Sequence, residues 1–144
     1  MTDSPMKALY QELILQHYRK PKNQGTLESP DVEIAMNNPV CGDEITLQLA
    51  ISGDRIEAAR FSGHGCAISQ ASASMMAHLL EGKTLEEAAA IDVRFTELMH
   101  GNEEAAKDRS LGDLRALAGV ARFPARVKCA LLAWNAYQEA VRSR

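Results

Sequence analysis

The sequence predicts an α+β fold, a small three-stranded antiparallel sheet packed with helices. Three observations carry the prediction. Period-2 alternation is confined to residues 31–62. Apolar residues at helical spacing stand on both sides of it. The links between the alternating runs are short, which favours an antiparallel meander. The 144 residues read as one domain, 1–144, with no internal repeat and no linker.

The first helix is expected from "SPMKALYQELILQHYRKP". Ser4 can cap it and Pro5 suits its first turn. Leu9, Tyr10, Leu13, Ile14 and His17 recur at helical spacing, and His17 reads as a core or edge residue. Pro21 and Gly25 end the helix. "DVEIAMN", "ITLQLAIS" and "IEAARFS" are the three strands, with Gly53 in the turn between the second and third. "GHG" at 63–65 breaks the last strand. A helix follows from Cys66 to Gly82, and the Met75-Met76 pair inside it reads as core filling. "TLEE" at 84–87 is a capping-box pattern that predicts a short helix. Residues 92–123 read as small helices joined by polar loops, with a further cap at "SLGD" (110–113) and a solvated face at Glu103-Glu104. The last helix is expected from Pro124 to Val141, with Val127, Leu131, Trp134 and Val141 on one stripe.

Composition excludes several functions. The net charge of −3 and the aromatic share of 5% argue against a nucleic-acid binder. No stretch approaches the roughly 18 apolar residues that cross a bilayer. The N-terminal residues lack the pattern of a signal peptide. These features place the chain in the cytoplasm, away from membranes. Three cysteines, an odd number, do not fit a secreted disulfide framework.

Each cysteine falls at an element boundary: Cys41 in the first inter-strand loop, Cys66 between the last strand and a helix, Cys129 early in the final helix. In a two-layer fold such boundaries can gather at one end of the sheet. Spacing leaves two readings open. One is three buried, inert thiols. The other is a site in which three thiolates and the Asp43 carboxylate supply four ligands to a tetrahedral zinc. Glycines beside Cys41 and Cys66 allow close backbone approach and favour the second. His64 is a competing ligand, although a histidine in a Gly-rich turn also reads as solvated. His78 and His100 carry no partner pattern.

"LYQELILQHYRKPKNQG", "NPVCGDEITLQLAI", "ARFSGHGCAISQASASMM" and "VKCALLAW" together resemble the IscU/NifU N-terminal family of iron–sulfur cluster assembly proteins. The resemblance covers nearly the whole chain. It implies a SufE/NifU-like α+β fold in which the three cysteines converge. The scaffold branch of that family has histidine directly before its third cysteine, where this chain has Lys128, and is shorter between its second and third cysteines. Both departures are similar to the SufU-like branch.

That branch implies zinc at Cys41, Asp43, Cys66 and Cys129, sulfur received from a SufS-like cysteine desulfurase, and delivery to a downstream iron–sulfur scaffold complex. Iron or a [2Fe–2S] cluster on the same ligands is the alternative, with the chain itself as scaffold. The expected chemical roles fall to Cys41, as sulfur acceptor on a loop beside Gly42, and to Arg126, three residues before Cys129. Arg126 reads either as a group that steadies the persulfide or as a solvated helix arginine.

Overall fold

The computed structural model describes residues 5–144. The elements are α1 (Pro5–Arg19), β1 (Val32–Asn38), β2 (Asp43–Ser52), β3 (Arg55–His64), α2 (Ala67–Leu80), α3 (Leu85–Met99), α4 (Glu103–Ala106), a 3-10 segment (Arg109–Arg122) and α5 (Pro124–Ser143). The expected cap at Ser4 lies outside the described residues. The strands form one antiparallel meander in the order β1-β2-β3. β2 starts at Asp43, two residues earlier than its alternation suggests, because Asp43 still pairs with Asn38.

Alternation decides which face of the sheet is covered. Ile45, Leu47 and Leu49 of β2 and Ile56, Ala59 and Phe61 of β3 are fully buried, and α2 and α5 pack against the sheet. The helices come close because their buried positions are small. Ala71, Ser72, Ala73, Ser74 and Ala77 fill α2, and Ala130, Ala133, Ala136 and Ala140 fill α5. The Ser72 hydroxyl donates to the Ala130 carbonyl at 2.7 Å and ties the two together. Met75 and Met76 are core residues. The Val127–Val141 stripe is only half-buried apart from Trp134; the deeper face of α5 runs through Cys129, Ala130, Ala133 and Tyr137.

The outer edge of β3 is closed by chain from both sides. Phe61 exchanges backbone hydrogen bonds with Asn23 and Gly25, and Ile56 with Gly82 and Lys83. Asn23 adopts φ 60°, a left-handed conformation that asparagine tolerates.

The capping box at Thr84 forms as expected, but its helix is not short. α3 runs 15 residues and takes in Asp92–Met99. Ile91, Phe95 and Leu98 continue the apolar stripe, and Phe95 stacks on Trp134 with ring centroids 5.3 Å apart. The start of the 3-10 segment is capped by Asp108, not by the "SLGD" stretch. Asp108 Oδ1 accepts from the Ser110 amide at 2.9 Å and the Ser110 hydroxyl at 2.7 Å, while Arg94 Nε donates to Oδ2 at 2.9 Å. Glu103 and Glu104 are exposed, as expected.

His17 holds the rear of the bundle. It is buried, with Nδ1 2.7 Å from Ser74 Oγ and Nε2 2.9 Å from Asp113 Oδ2. The Lys22 amide donates to the same Ser74 oxygen at 2.7 Å. That network joins α1, α2 and the 3-10 segment.

Two stability measurements check these readings. Thr84→Ala lowers the unfolding free energy by about 1 kcal/mol in urea with an unchanged slope; an unshifted midpoint would mean the box does not hold the helix start. The Ser110 hydroxyl and amide, then Arg94, hold the Asp108 carboxyl down at about 2. A depressed folded pKa gives stability that is present at neutral pH and lost as pH falls. Asp108→Asn should therefore shrink the acid loss of stability between pH 3.8 and about 2; an identical acid profile in the variant would refute the assignment.

Candidate metal centre

Four of the sequence-predicted residues meet at one end of the sheet. Asp43 opens β2, where pairing with Asn38 fixes its backbone. Cys41 lies just before it, in a turn where its amide and that of Gly42 donate to the Asn38 carbonyl. Gly42 takes φ 74°, a conformation glycine adopts without cost. Cys66 is the N-cap of α2, and its Sγ accepts from the Ser69 amide at 3.4 Å. Cys129 sits in the second turn of α5 with its Sγ 3.6 Å from the Ala125 carbonyl.

Cys41, Asp43 and Cys129 each offer a ligand atom, and these atoms lie within 4.8 Å of one another. The Cys129 and Cys41 sulfurs are 3.3 Å apart. Cys66 stands at the margin of the group. Its amide donates to Asp43 Oδ1 at 2.8 Å, and its Sγ lies 4.0 Å from Oδ2. Cys41 is exposed, Cys66 half-buried and Cys129 buried, so the reading of three inert core thiols fails at Cys41.

Gly65 makes the cluster possible. A side chain there would run into Asp43 Oδ1 and Ser69 Oγ. Gly63 is equally close to the Glu44 carbonyl across the β2–β3 ladder. "GHG" does not break the strand at its first glycine: Gly63 and His64 still pair with Ile45 and Glu44, and β3 ends before Gly65. His64 does not join the group. It is mostly exposed, and its Nε2 pairs with Glu44 Oε2 at 3.0 Å.

The electrostatics ask for a cation. Asp43 is fully buried; it accepts from the Cys66 amide and has the Cys66 and Cys129 thiols beside it. A buried carboxylate without a positive partner is costly. Burial first, then Cys41, Asp43 and Cys66 close by, push the Cys129 thiol well above the ordinary thiol range. A metal ion reverses that balance. The donors, sulfur from cysteines and one carboxylate oxygen, suit zinc in a four-ligand site. The residues therefore fit a zinc ion.

Arg126 and Lys128 are exposed on α5 beside Cys129. Arg126 forms no side-chain hydrogen bond or ion pair among the described residues. The contributions of Ser69 and Ala125 were not legible from the sequence, since both act through backbone groups. The His17–Ser74–Asp113 network was equally hidden, because its members lie 57 and 96 positions apart.

The chain matches the family model of the NifU-like N-terminal domain over residues 9–141. It is 45% identical over 138 residues to the zinc-dependent sulfurtransferase SufU of Bacillus subtilis, covering 94% of this chain and 91% of that protein. It is 42% identical over 142 residues to the iron–sulfur cluster assembly scaffold protein IscU of Streptococcus pyogenes, covering 99% and 88%. Among solved structures, that of FiSufU from Fervidobacterium islandicum superposes with a TM-score of 0.83 at 36% identity, covering 92% of this chain and 96% of that one. The expected fold, with its three-stranded sheet and helical cover, is the fold observed.

Gly65→Ala tests the construction of the centre. With φ 154° and two polar side chains in the way, the variant should lose about 1–3 kcal/mol of stability. Its zinc affinity, read by competition with a chelating dye, should fall at least about tenfold. Unchanged affinity would show that the loop reseats without disturbing Asp43.

Proposed function

The chain belongs to the NifU-like N-terminal domain family, and from that premise we propose that it is a zinc-dependent sulfur-transfer protein of iron–sulfur cluster biogenesis. It accepts sulfane sulfur from a cysteine desulfurase and passes it to a cluster-assembly scaffold. The observation that carries this reading is one exposed thiol, Cys41, set against a buried carboxylate and a buried thiol. Lys128 in the place of the scaffold branch's histidine supports it, and so does the likeness to a zinc-dependent sulfurtransferase.

Zinc held by Cys41, Asp43 and Cys129, with Cys66 as the fourth donor, would supply the positive charge that keeps the thiols deprotonated near neutral pH. The chain's own residues account for the rest. Cys41 is the acceptor, since a thiol that meets the persulfide of a partner protein must be accessible, and it is the most open of the three. Its Sγ attacks the terminal sulfur of the partner's persulfide. A bond forms between Cys41 and that sulfur, the bond to the partner's cysteine breaks, and the partner leaves as thiolate. The turn at Gly42 lets Cys41 move while Asp43, anchored in β2, stays. Asp43 also holds the Cys66 amide and so fixes the first turn of α2. Arg126 offers an unpaired guanidinium within a helical turn of Cys129, suited to the anionic persulfide or to an acidic group on the partner.

A second reading has its own support. The same donors suit iron, and the Streptococcus pyogenes scaffold protein is nearly as similar as the sulfurtransferase. Metal analysis after purification without oxygen separates the two. One zinc per chain is expected here, whereas iron with inorganic sulfide would favour the scaffold. After incubation with a cysteine desulfurase and cysteine, mass spectrometry should find a single added sulfur on Cys41. Cys41→Ala should abolish that gain; a variant that still takes up the sulfur would mean the acceptor is another residue.

A further inference from the structure

The Cys41–Cys129 pair carries an inference that rests on the transfer reading and goes beyond it. The two sulfurs are 3.3 Å apart. One is exposed and the other is buried behind it. A sulfur delivered from solvent therefore attaches to the outer side of Cys41 and points away from Cys129. Cys129 then faces the inner sulfur from the rear, the direction required to displace the outer one. We propose that Cys129 is a resolving thiol: when Cys41 carries a persulfide and no metal occupies the centre, Cys129 attacks the inner sulfur, closes a Cys41–Cys129 disulfide and expels sulfide.

The step balances without an outside reductant. The new bond joins Cys129 Sγ to Cys41 Sγ, and the bond from Cys41 to the sulfane sulfur breaks. The thiol proton of Cys129 passes to solvent, and the departing sulfur takes one up there and leaves as hydrosulfide. The sulfane sulfur is reduced, and the two cysteines are oxidised to a disulfide. To form it the sulfurs must approach by roughly 1.3 Å, since a disulfide bond is about 2.05 Å long. The turn at Gly42 can supply that movement from the Cys41 side, while Cys129 stays fixed in its helix. Cys66 is placed less well. It lies outside the mutual 4.8 Å group, with its sulfur engaged by the Ser69 amide.

The consequence is a centre with two outcomes for the same sulfur. With Cys129 held by a metal, Cys41 keeps its persulfide for transfer. With Cys129 free, the chain converts the persulfide into sulfide and leaves itself oxidised.

The test loads sulfur without any desulfurase. The full chain, stripped by a chelator, receives a short pulse of inorganic tetrasulfide, is desalted, and is followed by intact mass, peptide mapping and a sulfide assay. The wild-type chain should lose the added sulfur and two hydrogens, release one sulfide per disulfide, and map to a Cys41–Cys129 link. Cys129→Ser should hold the Cys41 persulfide at least about tenfold longer, and so should wild-type chain reloaded with zinc. If the wild-type persulfide persists as long as that of the variant, the proposal fails. A disulfide from Cys41 to Cys66 overturns it as well, and that mapping needs no variant to fold. A chain that resolves tetrasulfide sulfur in this way yet takes none from a desulfurase would sink the transfer reading alone.

Discussion

The hydrogen bond from the Cys66 amide to the buried Asp43 carboxylate organises this molecule. It links the first residue of the central strand to the first turn of α2. A carboxylate at that depth must be met by donors or by a positive charge. The backbone supplies one donor, and Gly63 and Gly65 let the chain come close enough to deliver it. Moving α2 outward would strand the carboxylate, and lengthening the loop would separate Cys66 from Cys41 and Cys129. The chemistry at the front of the sheet and the packing behind it are thus fixed by one contact.

The rest of the architecture holds that contact in place. Small residues along α2 and α5 let both helices lie close to the sheet, so Cys129 comes within 3.3 Å of Cys41 just before β2. At the rear, the His17 ring bridges Ser74 and Asp113 and ties α2 to α1 and the 3-10 segment. Ser74 and Cys66 belong to the same rigid helix or its cap, so tension at one end is felt at the other. A metal at the front would supply the positive charge that the buried Asp43 carboxylate lacks.

Much of this was legible in the residues. Strand alternation and the glycine punctuation at 53 and 65 are local signals, and they located the sheet and the start of α2, whereas Gly63 lies within β3. The Thr84 capping box was legible for the same reason. The length of α3 was not, because its second half is held by tertiary stacking of Phe95 on Trp134 rather than by its own propensity. The cap at Asp108 was masked by the neighbouring Ser110, which donates to it instead of capping. At the centre, the four ligand candidates could be named from residue type, glycine context and family resemblance. Their unequal depth could not. That Cys41 is open, Cys129 closed and Cys66 at the margin depends on packing among elements far apart in sequence.

The closure of the β3 edge also bears on how the chain is made. Its two covers come from opposite directions in the sequence, Asn23–Gly25 before the strand and Gly82-Lys83 after it. The first is already synthesised when β3 emerges from the ribosome; the second follows only after all of α2. Through that interval half of the strand's outer hydrogen-bonding groups stay open, and an open edge invites pairing with another chain.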